Sequence, residues 1–163
     1  MPSRSPTTGL MAFIAFTAIA AALGAWASAD ARTFYAALTQ PPWAPPGSVF
    51  GPVWTVLYLS MAVAAWLVWR RHGWQGARWA LSLYGVQLVA NALWSWLFFG
   101  WRLGYWAFAD VVLLWLLIAA TVAAFFTRHR GAALLLLPYW AWVSFATALT
   151  WTVWRANPAL LGT

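Results

Sequence analysis

The titratable side chains of this 163-residue chain, tyrosines aside, are two acids (Asp30 and Asp110), two histidines (His72 and His129) and nine arginines. That set is poor in general acids and bases, and with no cysteine it offers no thiolate nucleophile, disulfide or Cys-based metal site. The histidines stand singly in short loops, where lipid headgroup contact explains them better than metal ligation. No G-x-x-x-x-G-K, G-x-G-x-x-G, H-E-x-x-H or G-x-S-x-G pattern occurs, so the sequence speaks against a conventional enzyme. What it does offer is stacking surface and amides at helical spacing. Trp54, Tyr58 and Met61 share one face, Gln87, Asn91, Trp94 and Phe98 a second, and Trp142, Phe145 and Leu149 a third. Rings give contact area at low conformational cost, and a few amides or indole N–H groups fix orientation, so such faces suit a broad, flat, apolar molecule. An amide turned to lipid would be unsatisfied, so Gln87 and Asn91 either bond a neighbouring helix or line a cavity. Asp110 is expected to pair with Asn91, Gln87, an indole N–H or Arg102, as a functional group or as a lock between helices.

The elements that position these residues are read from hydropathy. The chain is 64% hydrophobic, 19% aromatic and 7% charged, with a mean hydropathy of +0.73, a composition that belongs in a bilayer. Charge-free stretches lie between Arg4 and Asp30, Arg78 and Arg102, and Arg130 and Arg155, each about the 20 residues a helical span needs. With two further apolar segments they predict a single all-α transmembrane domain over residues 1–163, with five spans at about 9–29, 52–69, 79–99, 104–127 and 131–155. Four spans follow the first apolar run, which favours a retained helix over a cleaved signal peptide. The net charge of +7 comes from arginines at span ends, where lipid phosphates account for them and nucleic acid does not. Their bias places the N-terminus in the cytoplasm, with Arg4, Arg70, Arg71, Arg78, Arg128 and Arg130 on one side and Arg32, Arg102 and Arg155 on the other. Trp69, Trp74, Trp79, Trp101, Trp106 and Trp154 are expected in the interfacial belts.

Between spans 1 and 2, QPPWAPPGSVFGPVWTVLY (40–58) sets two proline pairs around Trp43 and makes a stiff loop, already shaped to close over a ligand. Residues 31–38 are expected to form a short interfacial helix capped by Asp30. A basic loop over 70–78 contains Gly73 and Gly76 as breakers, and the turn 100–104 forces spans 3 and 4 into a hairpin. Pro138 is expected to kink span 5 and free carbonyls for Tyr139, Ser144 or Thr147. Ala20, Gly24 and Ser28 form a small-residue row for close helix packing, as do Ser144, Ala148 and Thr152.

The three segments PPWAPP…VWTVLY, NALWSWLFFG and PYWAWVSFATALTWTVWRANP, on three helices in a chain of this length, resemble the TspO/translocator protein family, the tryptophan-rich sensory proteins also called peripheral-type benzodiazepine receptors. The resemblance covers nearly the whole chain. It implies a five-helix bundle, homodimeric, in a bacterial cell membrane, whose first loop covers a cavity for hydrophobic small molecules. The implied ligands are tetrapyrroles (protoporphyrin IX or haem), sterols and benzodiazepine-type drugs, with no obligatory cofactor, no metal and no nucleic acid. Trp54 and Tyr58 match the aromatic positions of that cavity, Asn91 the asparagine of span 3, and Trp142 the tryptophan of span 5. Trp43, Pro46, Trp94, Phe98, Asp110, Phe145, Ala146 and Thr150 complete the implied ligand-binding set. Threonine at 150 departs from the asparagine of many members, and residues 149–155 lack the tyrosine of the sterol pattern, which makes sterol the least favoured ligand. A receptor or sensor is the leading expectation. A porphyrin or lipid carrier and a light-dependent breakdown of protoporphyrin, with Trp54 and Trp142 as the reacting indoles, stand beside it.

Overall fold

A computed structural model describes residues 5–162. The chain is helical throughout: α1 (Pro6–Ala27), α2 (Ala31–Ala37), a 3₁₀ turn (Gly47–Val49), α3 (Phe50–Ser95), a π-helical turn (Trp96–Gly100), α4 (Gly104–Phe126), α5 (Arg130–Ala156) and the short α6 (Pro158–Leu161). Among the described residues, four helical stretches are long and apolar enough to cross a membrane: Pro6–Ala27, Gly47–Gly100, Gly104–Phe126 and Arg130–Ala156. The second has 54 residues. Straight, it would run about 80 Å, more than twice a hydrocarbon core of about 30 Å. It is folded back on itself at Gly73, where φ is 66° and ψ −179°, a backbone conformation that only glycine adopts without strain. The Tyr58 hydroxyl reaches Asn91 Oδ1 at 2.5 Å and Gln87 Nε2 reaches Met61 Sδ at 3.7 Å, so residues before and after Gly73 lie against each other as antiparallel arms. The expected loop over 70–78 is thus reduced to a break at one residue, Gly73 being the one position inside Phe50–Ser95 with non-helical φ/ψ.

Both histidines have structural tasks that the sequence reading assigned to headgroups. His72 Nε2 lies 3.0 Å from the Arg128 carbonyl and ties the α3 hinge to the α4–α5 turn. His129 is the N-cap of α5, its Nδ1 accepting from Ala132 N at 3.1 Å. Asp30 stands at the N-cap of α2 without the expected side-chain cap bond. α5 runs on through Pro138, and Tyr139, Ser144 and Thr147 bond to Gln87, to the Trp140 carbonyl and to the Val143 carbonyl, so none serves a carbonyl freed by the proline.

Two glycine–tryptophan contacts set helix spacing. A Cβ on Gly9 would lie 2.1 Å from the Trp69 ring, and one on Gly104 2.1 Å from that of Trp154. Trp154 is further held by its indole N–H to the Gly162 carbonyl at 3.0 Å. Trp74, Trp79, Trp101 and Trp106 are exposed as interfacial belts require, whereas Trp154 is buried and Trp69 half-buried, because both meet a glycine. The bundle has two distinct ends. The Trp66 indole donates to the Pro6 carbonyl at 2.9 Å, so the start of α1, the Gly73 hinge and the α4–α5 turn gather Arg70, Arg71, Arg78, Arg128 and Arg130 at one end. At the other, Arg102 lies 4.6 Å over the Phe34 ring and Asn157 bonds Thr39, which collects Arg32, Arg102 and Arg155. That division is the one expected from loop charges; Arg4 lies outside the described residues.

Candidate functional site

A cavity of about 460 Å³ opens between α1 and the two arms of α3, beneath α2 and the 3₁₀ turn. The volume falls in the range of roughly 300–1,000 Å³ that sites for drug-sized molecules occupy. α1 and its C-cap, Ser28, contribute a wall of small residues with Ala21, Gly24 and Ala25; α3 contributes Phe50, Trp54, Thr55 and Tyr58 from its first arm and Asn91, Trp94 and Ser95 from its second. Phe99, from the π-helical turn, and Arg32 and Tyr35, from α2, close the rim. Of the row that sequence reading assigned to helix packing, Gly24 and Ser28 also line the cavity, while Ala20 packs against the core. Gly24 lets Ser95 and Tyr58 come close, since a Cβ there would sit 3.2 Å from Ser95 Oγ.

A chain of hydrogen bonds leads from this wall into the core. Tyr58 donates to Asn91 Oδ1 at 2.5 Å, Asn91 Nδ2 donates to the Tyr139 hydroxyl at 3.0 Å, and Tyr139 donates to Gln87 Oε1 at 2.7 Å. Both readings of the two amides therefore apply, one to each. Gln87 bonds a neighbouring helix, and Asn91 does so while facing the cavity, with one amide proton beyond the one given to Tyr139. Every member is bonded to the next, which ties the two arms of α3 to α5. Trp54 leans on Tyr58 with ring centroids 5.4 Å apart and meets Tyr139 edge-on at 6.1 Å. Trp94 stacks on Phe98 at 5.3 Å, 13° from parallel.

The expected site residues therefore divide. Trp54, Tyr58, Asn91 and Trp94 line the cavity. Trp142, Phe145, Ala146 and Thr150 do not, because α1 provides the wall that span 5 was expected to provide. Phe50 stands between the two regions, on the cavity's rim and edge-on to Trp142 at 5.9 Å. From there an aromatic row continues through Phe145, 5.5 Å from Trp142, to Trp43, 5.8 Å from Phe145. Thr150 is buried and Ala146 half-buried in α5, Phe98 lies behind Trp94, and Pro46 is exposed beside Gly47. Asp110 is buried, but the hydrogen bond expected for it is not made: Oδ2 has no partner among the described residues. Of its intended partners, the amides are engaged with Tyr58, Tyr139 and Met61 and Arg102 lies over Phe34, while the buried indole N–H groups of Trp94, Trp140 and Trp142 also make no hydrogen bond among the described residues.

The loop over the cavity is held from a place the sequence reading missed. Asn157 accepts from Thr39 N at 2.8 Å and donates to the Thr39 carbonyl at 2.9 Å and the Val153 carbonyl at 2.7 Å. This one amide matches both backbone groups of Thr39 and fixes the loop to the end of α5. Gln40 donates to the Tyr35 carbonyl at 2.5 Å and Tyr35 to the Pro45 carbonyl at 3.3 Å. Burial pushes the Tyr35 phenol above its ordinary range, so it stays a neutral donor. An asparagine directly after α5 and before a proline was the available signal.

Comparison with known proteins shows the family of the chain. The chain is 43% identical over 126 residues to the human translocator protein, covering 76% of this chain and 75% of that one. It is 38% identical over 132 residues to the tryptophan-rich protein TspO of Chlorobaculum tepidum, covering 78% and 82%. With the tryptophan-rich sensory protein of Cereibacter sphaeroides the identity is 37% over 147 residues, 90% of each chain. A family model described as TspO/MBR matches residues 13–155, which include both arms of α3, the cavity and the Asn91 network, and the chain belongs to that family.

Proposed function

We propose that this protein is a membrane receptor or sensor that binds porphyrins, such as protoporphyrin IX or haem, and other flat hydrophobic molecules, including benzodiazepine-type drugs. The ligand occupies the cavity between α1 and the arms of α3. The observation that carries this reading is the cavity itself: about 460 Å³, walled by Trp54, Tyr58, Trp94 and Phe99, with the amide residue Asn91 in its lining. Apolar rings with a few fixed donors are what a hydrophobic plate needs for both affinity and orientation. The names of the relatives, a translocator and a sensory protein, fit a ligand-responsive membrane protein. We further propose that the chain crosses a bacterial cell membrane five times, the arms of α3 making two of the crossings, and that it pairs as a homodimer. Saturable quenching of tryptophan fluorescence by protoporphyrin IX in lipid nanodiscs is the expected result. Absence of saturation refutes the reading. Net ligand flux across sealed vesicles replaces it with that of a carrier.

A further inference from the structure

A second hollow lies at the other end of the bundle, where the start of α1 meets the Gly73 hinge. It holds about 260 Å³ and is lined by Thr8, Gly9, Ala12, Phe13, Trp69 and Trp74. Three aromatic side chains and one hydroxyl make it apolar. Its volume falls short of the roughly 300–1,000 Å³ of drug-sized sites, so a slender chain fits it better than a plate. Along α3, Trp66, Trp69 and Arg70 fall at spacings of three and four and share one face. The Trp66 indole donates to the Pro6 carbonyl at 2.9 Å, and the Arg70 guanidinium lies 5.1 Å over the Trp66 ring. A cation is thereby held beside the first turn of α1, the turn that carries Thr8 and Gly9. A guanidinium stacked by its face keeps its edge N–H groups for an anion. Arg71 follows it and is exposed. Neither of the chain's two acids is near: Asp30 precedes α2 and Asp110 stands in the second turn of α4, both towards the opposite end.

We propose that this hollow is a site for one anionic phospholipid, with an acyl chain against Phe13, Trp69 and Trp74 and the phosphate accepting from Arg70 and Arg71. The site is separate from the cavity beneath α2 and does not depend on how that cavity is used. Charge selects the headgroup, because the arginines gathered at this end face no carboxylate, and a choline headgroup would bring a cation of its own among them. Shape selects a single molecule. Anchoring to the headgroup layer at large needs only exposed arginines, whereas an apolar hollow beside a stacked guanidinium gives one chain a fixed place. Free phosphate gains the ionic contact without the apolar burial, and a zwitterionic lipid gains the burial without the full ionic contact.

The test titrates the full chain in detergent micelles with dioleoyl phosphatidylglycerol or dioleoyl phosphatidylcholine and counts bound lipid by native mass spectrometry. The wild type is expected to retain one phosphatidylglycerol per chain, about ten-fold tighter than phosphatidylcholine. Arg70→Gln/Arg71→Gln is expected to lower phosphatidylglycerol to the level of phosphatidylcholine. Arg102→Gln/Arg155→Gln, which removes the same charge at the opposite end, is expected to leave the preference intact. Ala12→Phe places a ring in the hollow with both arginines kept and is expected to weaken both lipids. Arg70→Lys/Arg71→Lys keeps the charges and is expected to retain most of the preference. All these arginines and Ala12 are exposed, so unchanged helicity by circular dichroism is expected throughout. Excess glycerol 3-phosphate is expected to displace nothing. The inference is overturned if the two lipids bind alike, if both Gln pairs lose phosphatidylglycerol equally, if Ala12→Phe retains it as the wild type does, or if glycerol 3-phosphate competes it away.

Discussion

Replacing Tyr139 with Phe removes one oxygen from the centre of the bundle and leaves the packing in place. The ring is 1% exposed and edge-on to Trp54, so a phenyl group keeps those contacts and no ring-sized cavity opens. What is lost is the acceptor for Asn91 Nδ2 and the donor to Gln87 Oε1. Hydrogen bonds between helices in membrane proteins average about 0.6 kcal/mol each, which gives a lower figure of about 1.2 kcal/mol for the two. A buried group left without a partner costs about 1–3 kcal/mol. Gln87 Oε1 is in that position, since the residue is 1% exposed and its remaining contact, Met61 Sδ, engages only the amide N–H. Asn91 borders the cavity and can re-pair there. The expected loss is about 2 kcal/mol, carried mostly by Gln87. Equilibrium unfolding in mixed detergent micelles, followed by circular dichroism, measures it. Adding Gln87→Leu to Tyr139→Phe removes the orphaned acceptor, so the double variant is expected to be more stable than Tyr139→Phe alone. A single variant within about 0.5 kcal/mol of wild type, or a double variant whose losses simply add, would refute the reasoning.

Asn157→Ala deletes three bonds that hold the loop to α5; hydrogen exchange at the Thr39 amide is expected to accelerate about ten- to a hundred-fold, corresponding to about 1–3 kcal/mol of local stability. Gly73→Ala puts a Cβ into a glycine-only conformation and is expected to cost about 1–3 kcal/mol in the same unfolding assay, whereas Gly76→Ala, at a helical position, should cost less. On the proposed five crossings, with the arginine-rich end proposed to face inward, a C-terminal alkaline phosphatase fusion is expected to be active outside the cytoplasm; a C-terminal reporter that works only in the cytoplasm would contradict that orientation.

The helical class, the long apolar helices and the inward faces of α3 were legible because hydropathy and 3.6-residue spacing act locally. Those rules placed Trp54 with Tyr58 on one face and Asn91 with Trp94 on another, and both faces line the cavity. What sequence could not give was the identity of the opposite wall. The row through Gly24 in α1 reads equally as a packing surface or as cavity lining, and only the position of Ser95 and Tyr58 across from it decides. Trp142 and Phe145 carry the right spacing and the right chemistry, yet Phe50 stands between them and the cavity. Asp110 was matched with amides that two tyrosines reach instead, a competition among helices far apart in sequence. Asn157 was overlooked because its partner, Thr39, is 118 residues away.

A structure of the complex with protoporphyrin IX in lipid tests the central claim most directly. The expected result is a macrocycle between α1 and the arms of α3, in contact with Trp54, Tyr58 and Trp94 and within hydrogen-bonding reach of Asn91, under the loop that Asn157 holds. A macrocycle seated on the aromatic row of Trp43, Phe145 and Trp142, with the α1-side cavity unfilled, would contradict it.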